Sequence, residues 1–336
     1  MTLAPQLLPW QQAPWSDLQS RRSLARLPHA LLVCGIKGVG KRHLVDVFSQ
    51  ALLCTRPGAE SQACGGCAAC LWFQAGTHPD YRLLNPAEEG RAILVDQVRD
   101  LNGYFSLKSH HAGYKIAVID PADAMNRAAA NALLKTLEEP APETLLILVT
   151  HCPSRLPATI RSRCQRLMLA PPPAQQVVPW LSKRLDAGTD PALLLTLAGG
   201  APLRALELAQ ADVRSQRTAL LKELEQLQQG RGDPVACAAS WVERGAVNSL
   251  EWLQGYIIDM IRLQSAPQPP RIRNPDLREP LQRMAASVGL VELYQQLDSA
   301  RDALQLLQTQ VSQQNLLEQV LLSWAAASAK SVAKSA

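Results

Sequence analysis

The chain has 336 residues, more than one hydrophobic core usually supports, so two or three domains are expected. An apolar share of 47% against a charged share of 19% excludes an intrinsically disordered protein. The formal net charge of +5 is mild, and the Lys and Arg residues are spread out. Such a balance permits contact with nucleic acid without establishing it, a solvated basic surface being the plain alternative.

The opening segment MTLAPQLLPWQQAPW has neither a basic region nor a continuous apolar run, and no stretch of about 18 apolar residues follows. A cytoplasmic location is therefore expected. In that compartment the eight cysteines point to metal binding or catalysis in preference to disulfides.

Ala30 to Cys34 reads as a buried strand, and it runs into Gly35-Ile36-Lys37-Gly38-Val39-Gly40-Lys41-Arg42. This matches the phosphate-loop pattern G-x-x-x-x-G-K-[ST] at every fixed position except the last. Gly35, Gly38 and Gly40 let backbone N–H groups wrap phosphates at a helix N-terminus, and Lys41 reaches a terminal phosphate. The missing Ser or Thr normally holds Mg²⁺, and Arg42 cannot ligate a metal. Two readings stay open: a loop that still binds nucleotide, and a vestigial loop that binds nothing.

The helix Lys41 to Leu53 leads to Cys54, Cys64, Cys67 and Cys70, whose two-residue spacers let neighbouring thiolates converge on tetrahedral Zn²⁺. Four sulfur ligands close the site, so the zinc would be structural, and Gly65-Gly66 permits the tight turn. An iron–sulfur cluster is the competing occupant. Cys34, Cys152, Cys164 and Cys237 are scattered and read as small buried residues.

Strands are next expected at Tyr81 to Leu84 and Lys115 to Ile119, with an amphipathic helix over Val95 to Lys108 between them. The second strand leads to Asp120-Pro121-Ala122-Asp123. An ATPase of the phosphate-loop type usually carries two adjacent acids there, one near the metal and one to polarise water. Pro121 stands in the second place, and Asp123 is expected to cap the helix beginning near Ala124. With the hydroxyl and the second acid both missing, hydrolysis is expected to be lost or very weak.

Arg127 to Glu139 reads as a helix stopped by Pro140, and Leu145 to Val149 as a strand followed by Thr150. Ser162-Arg163-Cys164 then precedes a strand at Arg166 to Leu169. From its chemistry alone Arg163 reads as a surface salt bridge, though an arginine fixed at a domain edge can also reach a neighbour's phosphate. The alternation of strands and helices predicts a parallel sheet covered on both faces.

Ala170-Pro171-Pro172-Pro173 marks a boundary, and no strand is expected beyond it. Residues 171–208 read as a small helical unit containing Gly199 and Gly200, and residues 209–327 as an all-helical domain with Arg214 to Gln229 and Leu290 to Ala327 as long helices. Ala266 to Asn274 is expected to be a loop, and the tail 328–336 to fray.

Several segments carry a family likeness: Arg26 to Leu32, the four cysteines, Gly76-Thr77-His78-Pro79-Asp80, Ala130 to Pro140 and Ser162-Arg163-Cys164. Together they resemble the bacterial clamp-loader family of AAA+ proteins, over about the first 170 residues in motifs and beyond them in domain order. The resemblance implies an AAA+ (RecA-like) P-loop domain at 1–170 with its zinc module at 54–70, a helical lid at 171–208 and a collar at 209–327. It implies that Arg163 is an arginine finger acting in trans. Thr150 and Arg204 fall at the positions of two nucleotide sensors, vestigial here, and Asp120 in a degenerate acidic site.

Motor subunits of the family (gamma/tau) carry an intact loop and paired acids, so Arg42 and Pro121 place this chain with the stator type, which has no ATPase of its own. An ATP-hydrolysing motor is the alternative. The implied setting is a hetero-pentamer with the motor subunits and a delta subunit. That complex loads the sliding clamp onto primed DNA, and this chain would be a non-catalytic subunit of the DNA-directed DNA polymerase holoenzyme in the bacterial cytoplasm.

Overall fold

A computed structural model describes residues 6–335 except 59–60, 89–90, 111–112, 187, 211–212, 267–268, 270 and 308–310, and it leaves the side chains at 210 and from 328 onward undescribed. The backbone divides into two compact units, one of residues 1–184 with 200–204 and one of residues 185–199 with 205–336.

The first unit is built on five parallel strands: β1 (Ala30–Cys34), β2 (Tyr81–Leu84), β3 (Lys115–Ile119), β4 (Thr144–Thr150) and β5 (Gln165–Met168), in the order β2-β3-β4-β1-β5. All five lie where the apolar runs predicted them, within a residue at each end. The three central strands are buried along their whole length, as expected where helices cover both faces. Because successive strand side chains point to opposite faces, each continuous apolar run feeds two cores. Leu32, Cys34, Ala117, Ile119, Leu146 and Leu148 pack with Val98 and Leu101 of α4 (Val95–Phe105) and Leu133 and Leu137 of α5 (Arg127–Glu138). Leu31, Val33, Ile116, Val118 and Ile147 pack instead with Trp15 of α1 (Gln12–Ser23) and Leu44 and Phe48 of α2 (Lys41–Leu53). Each fully buried side chain of this size contributes roughly 1.5–3 kcal/mol.

The same unit holds α3 (Ala68–Gln74), α6 (Ala158–Arg163) and α7 (Ala174–Ser182). The Gly76-to-Asp80 motif has a structural task. Asp80 accepts from the backbone N–H of His110 at 3.0 Å, His78 Nδ1 accepts from the Asp80 N–H at 3.0 Å, and Lys115, 3.9 Å from Asp80, lies over the Tyr104 ring. These contacts brace the β2 edge beside β3.

Beyond the sheet lie α8 (Pro191–Leu197), α9 (Pro202–Gln210), α10 (Val213–Gln228), α11 (Pro234–Glu243), α12 (Ala246–Ser265), α13 (Arg278–Ala286), α14 (Leu290–Leu306) and α15 (Gln313–Ser335). Among the described residues no strand follows β5, as expected. The stretch Leu290 to Ala327 is not one helix: α14 ends at Leu306, and α15 starts at Gln313 and packs against α10, α11 and α14. An apolar periodicity that continues across a reversal looks like one long helix in sequence. The helical course runs to Ser335, over the tail expected to fray, whose side chains and last residue lie outside the described residues. Part of the expected 266–274 loop likewise falls on 267–268 and 270.

The core of the second unit gathers Leu220, Leu224, Trp241, Leu253, Tyr256, Met260, Leu281, Leu297, Leu321 and Trp324. Inside it stands Arg217, 1% exposed, donating to Asp276 at 2.9 Å and to Asn274 at 2.7 Å, while its carbonyl accepts from the Tyr256 hydroxyl at 3.0 Å. Removing one partner of a buried pair strands the other, so Arg217→Ala is expected to destabilise this unit by about 3 kcal/mol in urea unfolding.

Candidate functional site

The loop between β1 and α2 has the conformation its glycines require. Gly38 and Gly40 have φ of 82° and 93°, the left-handed region that disfavours side chains. A Cβ on Gly38 would lie 2.6 Å from the Cβ of Arg204, and one on Gly40 would lie 2.8 Å from Gln11 Nε2. The chain thus packs both sides of the loop itself. Leu203 N–H donates to Gly38 O at 2.9 Å, Trp10 Nε1 to Val39 O at 2.9 Å and Gln11 Nε2 to Gly40 O at 2.8 Å. The Lys41 ammonium turns back on the loop and donates to Gly35 O and Ile36 O, both at 2.8 Å. Burial lowers its pKa, opposed by the carboxylates of Asp120 and Asp123.

Arg42, the first departure from the phosphate-loop pattern, is anchored on several sides. Its Nε lies 2.7 Å from Asp46 Oδ1, one turn along α2, and its Nη1 lies 3.6 Å from Asp120 Oδ2 at the end of β3. Its Nη2 donates to the Tyr81 hydroxyl at 3.5 Å, and that hydroxyl donates to Asp46 at 3.1 Å. Burial raises the pKa of Asp120, while Arg42 and Lys41 pull it down.

Asp123 does not cap a long helix. Asn126 caps α5, its side chain accepting from Ala129 N–H at 2.8 Å, and Asp123 sits in a single 3₁₀ turn, Ala122–Ala124. Its carboxylate accepts instead from the buried hydroxyl of Thr150 and lies 3.5 Å from His151 Nε2. The Thr150 oxygen also accepts from Cys152 N–H at 3.0 Å, so its hydrogen bonds are directed within the chain.

Cys54, Cys64, Cys67 and Cys70 come together, with all four sulfurs within 4.8 Å of one another. A tetrahedral zinc with Zn–S bonds of about 2.3 Å sets its sulfurs about 3.8 Å apart. The Cys54 and Cys67 sulfurs are 3.8 Å apart. In an iron–sulfur cluster the thiolates are divided among two or four irons, so sulfurs on different irons stand farther apart than this, and the spacing suits a single ion such as zinc. Burial works to raise the Cys67 thiol, but hydrogen bonds from Thr55 and Cys70 outweigh it and bring it to about 5, while Cys64 is lowered by the backbone N–H groups of Gly66 and Cys67. Burial raises Cys54 and Cys70. Of the other thiols, Cys34 and Cys164 are buried as expected, whereas Cys152 and Cys237 are only half-buried, the first beside Ser154 in a loop and the second on α11.

Arg163 ends α6. Its Nη2 lies 2.7 Å from Glu138 Oε1, and its Nη1 donates to Thr159 O at 3.0 Å. Its neighbours differ: the Ser162 hydroxyl donates to Thr159 O at 3.1 Å, and burial raises the Cys164 thiol to about 12. The Arg163 and Glu138 side chains are 37% and 51% exposed. A surface pair of this kind is worth roughly 0–1 kcal/mol, so the guanidinium can leave it at little cost.

Sequence reasoning missed Asp46, Tyr81, Glu138 and the loop contacts of Trp10 and Gln11. Only the Arg42/Asp46 pair left a signal, the i, i+4 spacing of opposite charges on a helix. The rest are tertiary pairings.

A five-stranded parallel sheet with a glycine loop after β1 and an acid after β3, joined to a Cys₄ cluster and followed by helices, is the architecture of a P-loop domain. Residues 10–173 match the family described as DNA polymerase III, delta subunit, and residues 212–326 its C-terminal counterpart. The chain is 38% identical to the DNA polymerase III subunit delta' of Pseudomonas aeruginosa over 95% of its length and 97% of that protein, and 37% identical to that of Escherichia coli over 76% of each. The tau subunit of Bacillus subtilis is 33% identical over 51% of this chain and 30% of its own. The chain belongs to the delta' subunits of the DNA polymerase III clamp loader. Among its described residues no single helix is long and apolar enough to cross a membrane.

Proposed function

We propose that this chain is the stator of its clamp loader: it turns over no ATP of its own and presents Arg163 to the ATP held by an adjacent gamma/tau motor subunit. The observation that carries the reading is the position of Arg163, half-exposed at the end of a short helix and held there by a surface pair to Glu138 and a hydrogen bond to Thr159 O. A fixed guanidinium at a domain edge suits the developing charge on a transferring phosphoryl group. Loss of hydrolysis is supported by Arg42 and Pro121 standing where a metal-binding hydroxyl and a second acid are needed. Thr150, committed to Asp123, and Arg204, packed on Gly38, are remnants of sensors.

In this reading residues 1–170 form the P-loop domain, 171–208 a lid and 209–327 the collar, and Cys54, Cys64, Cys67 and Cys70 hold a structural zinc. The partners are the motor subunits and delta in a hetero-pentamer in the bacterial cytoplasm, and through it the sliding clamp and primed DNA. The purified chain is expected to hydrolyse no ATP above background, alone or with DNA. A turnover of roughly 1 to 10³ per second would instead make it a motor.

A further inference from the structure

Magnesium, which accompanies ATP in this fold class, does not fit the residues present at the loop. In phosphate-loop proteins the ion is held by the hydroxyl that follows the loop lysine and by the acid after the third strand. Here the first of those positions is Arg42, and its Nη1 lies 3.6 Å from the second, Asp120. Magnesium demands near-octahedral oxygen coordination at about 2.0–2.1 Å. A guanidinium has no lone pair to offer it.

We infer that Arg42 is a resident cation standing in for magnesium: its guanidinium satisfies the Asp120 carboxylate and closes the acid site to divalent ions. The inference rests on reading Gly35 to Arg42 as a phosphate loop.

The surroundings distinguish this from simple loss of a hydroxyl. A small apolar residue at position 42 would leave Asp120, largely removed from solvent, beside Asp46 with only Lys41 to offset two negative charges. With Arg42 in place, a guanidinium stands between Asp46 and Asp120, while Lys41 lies in the field of Asp120 and Asp123. The guanidinium is also held in orientation, by Asp46 at 2.7 Å on one side and by the Tyr81 hydroxyl, itself bound to Asp46 at 3.1 Å, on the other. A divalent ion entering this cluster would meet a fixed positive charge and an oxygen already paired. Lys41 adds to the closure, because its ammonium is committed to the loop carbonyls at 2.8 Å. Any nucleotide this loop takes is therefore taken without a metal.

Manganese, a spectroscopic stand-in for magnesium, tests the inference on the full chain. With ATP present, the wild-type protein is expected to leave the electron paramagnetic resonance signal of free Mn²⁺ unchanged. Arg42→Ser, which restores the hydroxyl and frees Asp120, is expected to bind Mn²⁺ at least tenfold more tightly, and Arg42→Ser with Asp120→Asn to lose that gain. Wild-type uptake of Mn²⁺ that Asp120→Asn abolishes would overturn the inference, as would an Arg42→Ser chain with native circular dichroism that gains no uptake. A second measurement needs no Arg42 variant: the shift in wild-type melting temperature on adding ATP is expected to be the same with Mg²⁺ and with no added divalent ion. A magnesium-dependent stabilisation that Asp120→Asn removes contradicts the inference. These readouts report metal binding and not turnover, so they can fail while the stator reading stands, and the reverse.

Discussion

Arg163→Ala is expected to leave the chain folded and able to join the loader, while ATP turnover at the site the arginine serves falls on the order of 10³-fold. Folding survives because the side chain contributes no core contact: it sits at the exposed end of α6, and its pair with Glu138 is worth roughly 1 kcal/mol at most. Turnover suffers because phosphoryl transfer depends on positioned charge at the transition state, and no other group replaces a guanidinium delivered from a neighbouring subunit. Arg163→Lys keeps the charge without the planar fork and is expected to recover only a small part of the activity. Loader ATPase measured with clamp and primed DNA reads the effect, alongside gel filtration of the complex. Unchanged turnover in an intact complex would remove the in-trans role and leave Arg163 as the surface salt bridge its chemistry alone suggested.

Loss of the proposed zinc is expected to be the second large effect. Cys54, Cys67 and Cys70 form a buried cluster with Ala69 and the partly buried Ala63, while Cys64 is exposed, a cluster too small to hold the chain around Cys54 to Cys70 by burial. Folding free energy in such a module comes from the metal–thiolate bonds, and structural zinc in small domains supplies on the order of 10 kcal/mol. Metal analysis of the purified chain is expected to give about one zinc per chain, and Cys67→Ser to lose it with a lower melting temperature. An iron content with visible absorbance would replace zinc with the competing cluster. The pH dependence follows from the thiols. Burial raises Cys54 and Cys70, so zinc must displace protons that these two hold tightly, and its affinity rises with pH. Acidification is therefore expected to release zinc, monitored with a chromogenic chelator between pH 8 and pH 5. The mutation should leave the sheet of the first unit intact, because its two cores draw nothing from the cysteine module.

The phosphate loop shows the limit of a pattern. Its glycines, lysine and flanking strand were legible because they are contiguous and each answers a local backbone demand. The pattern also located the defect at position 42. What it left open was whether Arg42 is an idle replacement or a working one, and that depends on Asp120, which the sheet order brings beside α2 by placing β3 two strands from β1. Asp123 illustrates the same limit from the other side. Its place three residues after Asp120, just before Ala124, suggested a helix cap, but the helix starts at Arg127 behind a better-placed Asn126, which left the Asp123 carboxylate to take the Thr150 hydroxyl.

The sequence by itself determined the five strands, the helices with strong capping or periodicity, the cysteine cluster and the degenerate character of the loop. All of these depend on neighbours within a turn, a pleat or a knuckle, so composition and spacing encode them directly. Only the tertiary structure decided which core each strand residue enters, where the stretch from Leu290 breaks into α14 and α15, that Glu138 holds Arg163, and that Arg42 carries the charge its own acid site requires. Each of those outcomes joins groups far apart in the chain, and their pairing follows from how the elements pack, which no local pattern specifies.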